Sequence, residues 1–168
     1  MAADIVRTAA LERLSGVTAV ATAGITHSST VGTINAIAVL RGRLQTAAIV
    51  EAVRVVTEAK VAALRDLDVR ADARPPTGAS TDAAVVAAED RGEAYNYCGP
   101  ATPIGPAVGR ATYRGVLVDI HRQSGLVPER PIQDRLAERV VSATEIAAAG
   151  RARNLSEAMT WESLFALD

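Results

Sequence analysis

The chain has 168 residues, enough for one domain that buries roughly 70% of the surface its unfolded form exposes. About half of it is apolar, yet only 3% is aromatic, and 18 Lys plus Arg stand against 19 Asp plus Glu. The chain therefore lacks the aromatic platforms and basic fields that nucleic acid and anionic membranes require, and neither is expected as a partner.

Cys98 is the sole cysteine, so an intrachain disulfide is impossible and a reducing, cytoplasmic setting is expected. Two histidines, His27 and His121, with one cysteine offer no metal-ligand spacing, and no metal or cofactor is implied. "MAADIVRTAALERL" carries charges throughout, so it does not read as a signal peptide. No apolar run reaches the roughly 18 residues of a membrane helix.

Residues 3–14 read as a short amphipathic helix with Ile5, Ala9 and Leu11 on one side, ended by Gly16. "VTAVATAG", 17–24, reads as a buried β-branched strand. "ITHSSTVG" is a polar loop, and "TINAIAVLRGR", 33–43, is a second strand closed by Gly42. The short loop between them predicts an antiparallel pair. Residues 45–68 form a long helix with Ile49, Val53, Val56, Ala63 and Leu64 on its apolar face.

A loop, "RADARPPTGAS", leads to a third strand at 81–89, followed by the loop "DRGEAYNYCGPA". Thr102 and Pro103 read as an N-cap and first-turn proline of a helix running to about His121. Its inward residues are Ile104, Val108, Ala111 and Val118, and Pro106 lies harmlessly in the first turn. "SGLVPERP" is a linker. Residues 131–148 read as one helix with Ile132, Leu136, Val140 and Ile146 on its apolar side. Asn154 and Glu157 would cap a last helix carrying Trp161 and Phe165 on one face, either docked on the core or offered to a partner.

The expected fold is α+β, with two layers. A mainly antiparallel sheet packs against long helices in residues 1–122, and 123–168 form a helical extension packed on the same domain. The low charge and Ala/Val-rich faces favour a homo-oligomer.

Polar residues cluster at strand ends. His27 to Thr30 follow the first strand, Gly32 to Asn35 enter the second, and Thr77 to Asp82 enter the third. Thr57, Glu58 and Lys60 lie within the long helix, where Thr57 and Lys60 share a face and Glu58 sits about 100° away. Tyr97, Cys98 and Gly99 accompany Thr102 and Gly105. Ser and Thr at such places mostly make local turns, and Thr102 is most simply a cap. Asn35 interrupts "TINAIAVL", and a buried amide must find partners. Asp82 directly precedes "AAVVAA", so its carboxylate is either held by backbone N–H groups or chemically employed. His27 is a candidate base, although a lone loop histidine is more often simply exposed. Cys98 has no evident activator. The chain contains neither a G-x-S-x-G elbow nor a Walker glycine loop.

The segments "VTAVATAGITH", "GTINAIAVLRGRL", "AVRVVTEAKVAALRDLDVR", "PTGASTDAAVVAA" and "YCGPATPIGPAVGRATYRGV" follow one another in order across about 17–120. In series they resemble the adenosylcobinamide amidohydrolase family of cobamide salvage. The resemblance implies an enzyme that hydrolyses the amide between the corrin ring and aminopropanol, releasing cobyric acid. It carries over onto Thr33, Asn35, Glu58, Lys60, Thr77, Ser80, Thr81 and Asp82. Amide hydrolysis needs a nucleophile, a proton shuttle and oxyanion donors, for which the candidates are Asp82 or Glu58 as base and Thr81 or Thr33 as attacking hydroxyl or water holder. Asn35 and the Gly78–Ser80 backbone would be oxyanion donors, while His27, Lys60, Thr77, Gly78, Ser80 and Thr102 would line the substrate site.

The chain departs from the family pattern at His27, where Asn is expected, and in its helical tail. It is expected to be a short member without a substantial N-terminal portion. Two alternatives follow. One is a repurposed enzyme acting on another small molecule in specialised metabolism. The other is a non-catalytic subunit docking a partner through its tail.

Overall fold

A computed structural model describes residues 5–25, 32–70, 74–79, 81–139 and 141–152. Contacts divide the chain into two units, Met1–Val127 and Pro128–Asp168.

The first unit is α+β, as expected. A short helix α1 (Ile5–Thr8) precedes strands β1 (Ala10–Leu14), β2 (Val17–Ala23), β3 (Ile34–Leu40) and β4 (Arg43–Leu44). Helix α2 (Thr46–Asp66), strands β5 (Ala83–Ala88) and β6 (Ala94–Tyr95), and helix α3 (Gly105–Ser124) follow. The main sheet has the order β1-β2-β3-β5. Its first two pairings are antiparallel, and β3 pairs with β5 in parallel. A parallel neighbour needs a long crossover, and α2 provides it. The short β4 and β6 form a separate parallel pair within stretches read as a strand end and a loop.

The helix read at 3–14 is corrected: among the described residues of that range Ile5–Thr8 are helical, and Ala10–Leu14 form an edge strand. Leu11, Glu12 and Arg13 are good helix formers, but the next residues override them. Ser15 and Gly16 both have positive φ, 46° and 80°, the geometry of a type I′ hairpin turn. Glycine suits the second position because it carries no Cβ. The turn folds Ala10–Leu14 back on β2, with Leu14 opposite Val17.

Helices α2 and α3 cover one face of the sheet. The buried stripe of α2 is Ala48, Ala52, Val55, Val56, Ala59, Lys60, Ala63 and Leu64. Two predicted core residues, Ile49 and Val53, are instead exposed. Alanines hold the buried positions because small side chains let α2 approach the sheet and α3 closely, and the bulkier residues rotate outward. Helix α3 buries Ile120 and Val116 beside Ala111 and Val108, while Val118 is only half-buried. Its Gly115 faces Ala21 so closely that an added Cβ would lie 3.3 Å from the alanine methyl.

The second unit is helical where described, with α4 (Ile132–Glu138) and α5 (Ala143–Ala152). The single helix read over 131–148 is thus two. Val141 N–H returns to Leu136 O at 3.0 Å and closes α4. Ser142 and Glu145 then form a capping box: Ser142 N–H donates to Glu145 Oε2 (2.7 Å) and Glu145 N–H donates to Ser142 Oγ (3.2 Å). The S-x-x-E signal for a fresh start is present at Ser142. Asn154, Glu157, Trp161 and Phe165 lie outside the described residues.

Candidate active site

The parallel pair β3/β5 opens on a cluster of polar side chains. Asp82, immediately before β5, reaches across to β3, where its Oδ1 accepts the N–H of Ile34 at 2.7 Å. Its Oδ2 pairs with Lys60 Nζ at 3.0 Å. Lys60 belongs to the buried stripe of α2 and its side chain is only 6% exposed, against 15% for Asp82. A lysine so placed needs a partner, because an isolated buried charge is expensive. Asp82 therefore sits between a cation and a main-chain donor while keeping an exposed margin.

Three further side chains stitch the same strand mouth. Thr33 Oγ1 donates to Thr81 O at 3.1 Å, and Thr81 Oγ1 lies 3.5 Å from Gly32 O. Asn35 Oδ1 accepts Ala83 N–H at 3.0 Å, and Asn35 Nδ2 lies 3.5 Å from Thr22 Oγ1. These bonds satisfy groups that the sheet ladder leaves open at its end. Residues alternate across a sheet, so Asn35 projects from the face opposite Ile34. It is separated from the helix side by the thickness of the sheet, and its carbonyl is occupied by Ala83.

Gly78 completes the cluster. A Cβ there would lie 2.8 Å from Asp82 Oδ2, and its φ of 156° disfavours any side chain. Gly78→Ala should displace the carboxylate from Lys60, lowering activity about 100-fold and, because the buried pair opens, the melting temperature as well, read by parallel turnover and calorimetry.

The structure brings together Thr33, Lys60, Gly78, Thr81 and Asp82, with Asn35 behind them. Thr77 is exposed on the same loop. Two expected members lie elsewhere. Glu58 is two residues before Lys60, about 200° around the helix, and pairs with Arg54 on the exposed face at 2.7 Å. Thr102 is not the N-cap expected of it: α3 begins at Gly105 after Ile104, with Pro106 in its first turn, and Thr102 braces the preceding turn, its Oγ1 donating to Gly99 O (2.8 Å) and accepting Gly105 N–H (3.2 Å). That turn is tied to Glu51, whose Oε2 accepts Cys98 N–H at 2.7 Å. Glu51 is nine residues before Lys60, about 13 Å along α2. His27 and Ser80 lie outside the described residues. Cys98 is fully buried, and burial, reinforced by the charge of Glu51, raises its thiol pKa, which does not favour attack.

Sequence reasoning missed Asp119. It is fully buried on α3, and its Oδ2 accepts Ala23 N–H at 2.5 Å, where β2 ends. Its Oδ1 has no hydrogen-bond partner among the described residues. Burial raises its pKa, opposed by the bonds from Ala23 and Thr8 and by the charge of Arg122. The only signal in the sequence was a carboxylate one residue before the buried Ile120. The folded chain holds this proton more tightly than the unfolded chain does. Its contribution to stability is thus full below the ordinary aspartate pKa of about 3.9 and is lost as pH rises through the raised folded value. Asp119→Asn should flatten that part of the profile of melting temperature against pH.

Among the described residues no group of His, Cys, Asp and Glu is arranged to hold a metal ion, and no helix is long and apolar enough to cross a membrane.

The family model of adenosylcobinamide amidohydrolase matches residues 1–128. The chain belongs to this family. The match takes in the whole Asp82–Lys60 cluster of this amidohydrolase, and residues 129–168 lie beyond it. Neither a search of curated proteins nor one of solved structures found a match.

Proposed function

We propose that this amidohydrolase cleaves the amide joining aminopropanol to the corrin ring of adenosylcobinamide, in the cytoplasm, at the mouth of β3 and β5. The observation that carries the reading is the Lys60–Asp82 pair, a nearly buried cation and carboxylate held at 3.0 Å inside the family's matched region. In this reading Asp82 is the base that takes a proton from the attacking water. The water oxygen bonds to the amide carbon, the C–N bond breaks, and the proton passes to the departing aminopropanol nitrogen. Lys60 holds the carboxylate in place and offers positive charge to the developing oxyanion. Thr81, exposed beside Asp82, orients the water or substrate through its hydroxyl, and Thr33 fixes Thr81 through its carbonyl. Glu58 takes no part, being paired with Arg54 on another face.

The test is incubation of the purified chain with adenosylcobinamide, followed by mass spectrometry for cobyric acid and aminopropanol. Formation of both in equal amounts is expected. A folded chain yielding neither product would overturn the substrate assignment and direct the search to other amides.

A further inference from the structure

The helices cover one face of the main sheet, and the opposite face is apolar where an uncovered face should be polar. One complete row crosses all four strands there. Leu11 pairs with Val20, Val20 with Ile37, and Ile37 with Val85. Leu11, Ile37 and Val85 are 48%, 41% and 47% exposed. The next row is Arg13, Thr18, Val39 and Ala87, with Val39 also exposed. A contiguous apolar patch of this kind marks an interaction surface.

We propose that this face binds a second copy of the same chain, across a two-fold axis running parallel to the strands. The charges at the rim select that partner and that axis. Such an axis lays β1 of one copy over β5 of the other and β2 over β3, keeping equivalent rows together. The row Leu11-Val20-Ile37-Val85 then meets itself in reverse order. Arg13 stands at the β1 edge. Glu89 stands at the β5 edge, two residues beyond Ala87 and on the same side of the sheet. Neither makes a side-chain hydrogen bond or ion pair among the described residues, and both are exposed. The two-fold brings each Arg13 beside the other copy's Glu89, one row away. An axis perpendicular to the strands would instead carry Arg13 toward the row of Thr22, Asn35 and Ala83, which holds no acid.

Four strands spaced about 4.8 Å apart and about 20 Å long present roughly 400 Å² of flat projection per copy. Side-chain relief enlarges that figure, and the result falls at the lower end of stable interfaces, for which about 800 Å² of accessible surface per partner is standard. A dimer dissociating in the micromolar range is the expected outcome.

Sedimentation equilibrium of the full chain from about 1 to 100 μM should show a monomer–dimer equilibrium. Ile37→Lys should weaken it by about 30-fold or more, as loss of a central apolar contact does, with the melting temperature of the monomer retained. Arg13→Glu should weaken it about tenfold, and adding Glu89→Arg should restore it. A monomer at every concentration would overturn the proposal and leave another protein or the chain's own C-terminal residues as the occupant. A dimer indifferent to Ile37→Lys would equally overturn it, by placing the interface elsewhere. Failure of the charge exchange to rescue would overturn the axis.

Discussion

Replacing Asp82 with asparagine should lower turnover of the amide substrate by about 10³-fold, the loss typical when a general base is removed. The side chain keeps its size, and its amide oxygen can still accept the N–H of Ile34. The amide nitrogen then faces the ammonium of Lys60, donor against donor, which costs about 1–3 kcal/mol of stability. The signature is therefore a folded protein, slightly less stable, with kcat depressed and KM little changed. Parallel steady-state kinetics and thermal unfolding read both quantities. Turnover within a factor of three of the parent would remove Asp82 from the chemistry and return Glu58 to consideration, despite its position on the exposed face of α2.

Lys60→Met should lower turnover too, and it should cost stability clearly. Methionine fills much of the space of the lysine stem but leaves Asp82 without its cation in a largely enclosed position. Breaking a buried pair from one side costs about 3 kcal/mol, here a fall of about 10 °C in melting temperature. A second substitution distinguishes repair from damage. Lys60→Met combined with Asp82→Leu replaces both charges by apolar groups but leaves the Ile34 N–H without its acceptor, so it should regain part of the lost stability while remaining inactive. If the double variant is less stable than Lys60→Met alone, the bond from Ile34 N–H to Asp82 outweighs the cost of the unpaired carboxylate.

Much of this arrangement was legible in the sequence. The antiparallel β2/β3 pair followed from two β-branched runs around a short polar loop, and α2 from its long apolar period. Asn35 and Asp82 stood out because each is polar beside a strand of Ala, Val and Ile, and both make the cross-strand bonds such positions demand. Other features were illegible for definite reasons. The β1 strand is written in helix-favouring residues, and only its hairpin partner makes it extended. The buried face of α2 is lined by alanines, so the larger Ile49 and Val53 drew the expected face about one position round the helix. Lys60 falls in register with Val56 and Leu64, a visible sign of burial, but its pairing with Asp82 spans a loop no local pattern crosses. Asp119 lay within an amphipathic helix whose polar residues read as solvent-facing.

The bonds from Thr33, Asn35 and Ile34 to residues 81–83 all link positions about 48 apart in the chain. They join the parallel pairing of the main sheet, and among the described residues no strand pairs with β5 on its other side. Contacts of that separation carry a real loop-closure cost, and they hold β5 from one side of the strand. The strand carrying the carboxylate is thus an edge strand, a place where a sheet frays before its centre does. Mild denaturant would then silence the amidohydrolase while its hairpin and helices still stand.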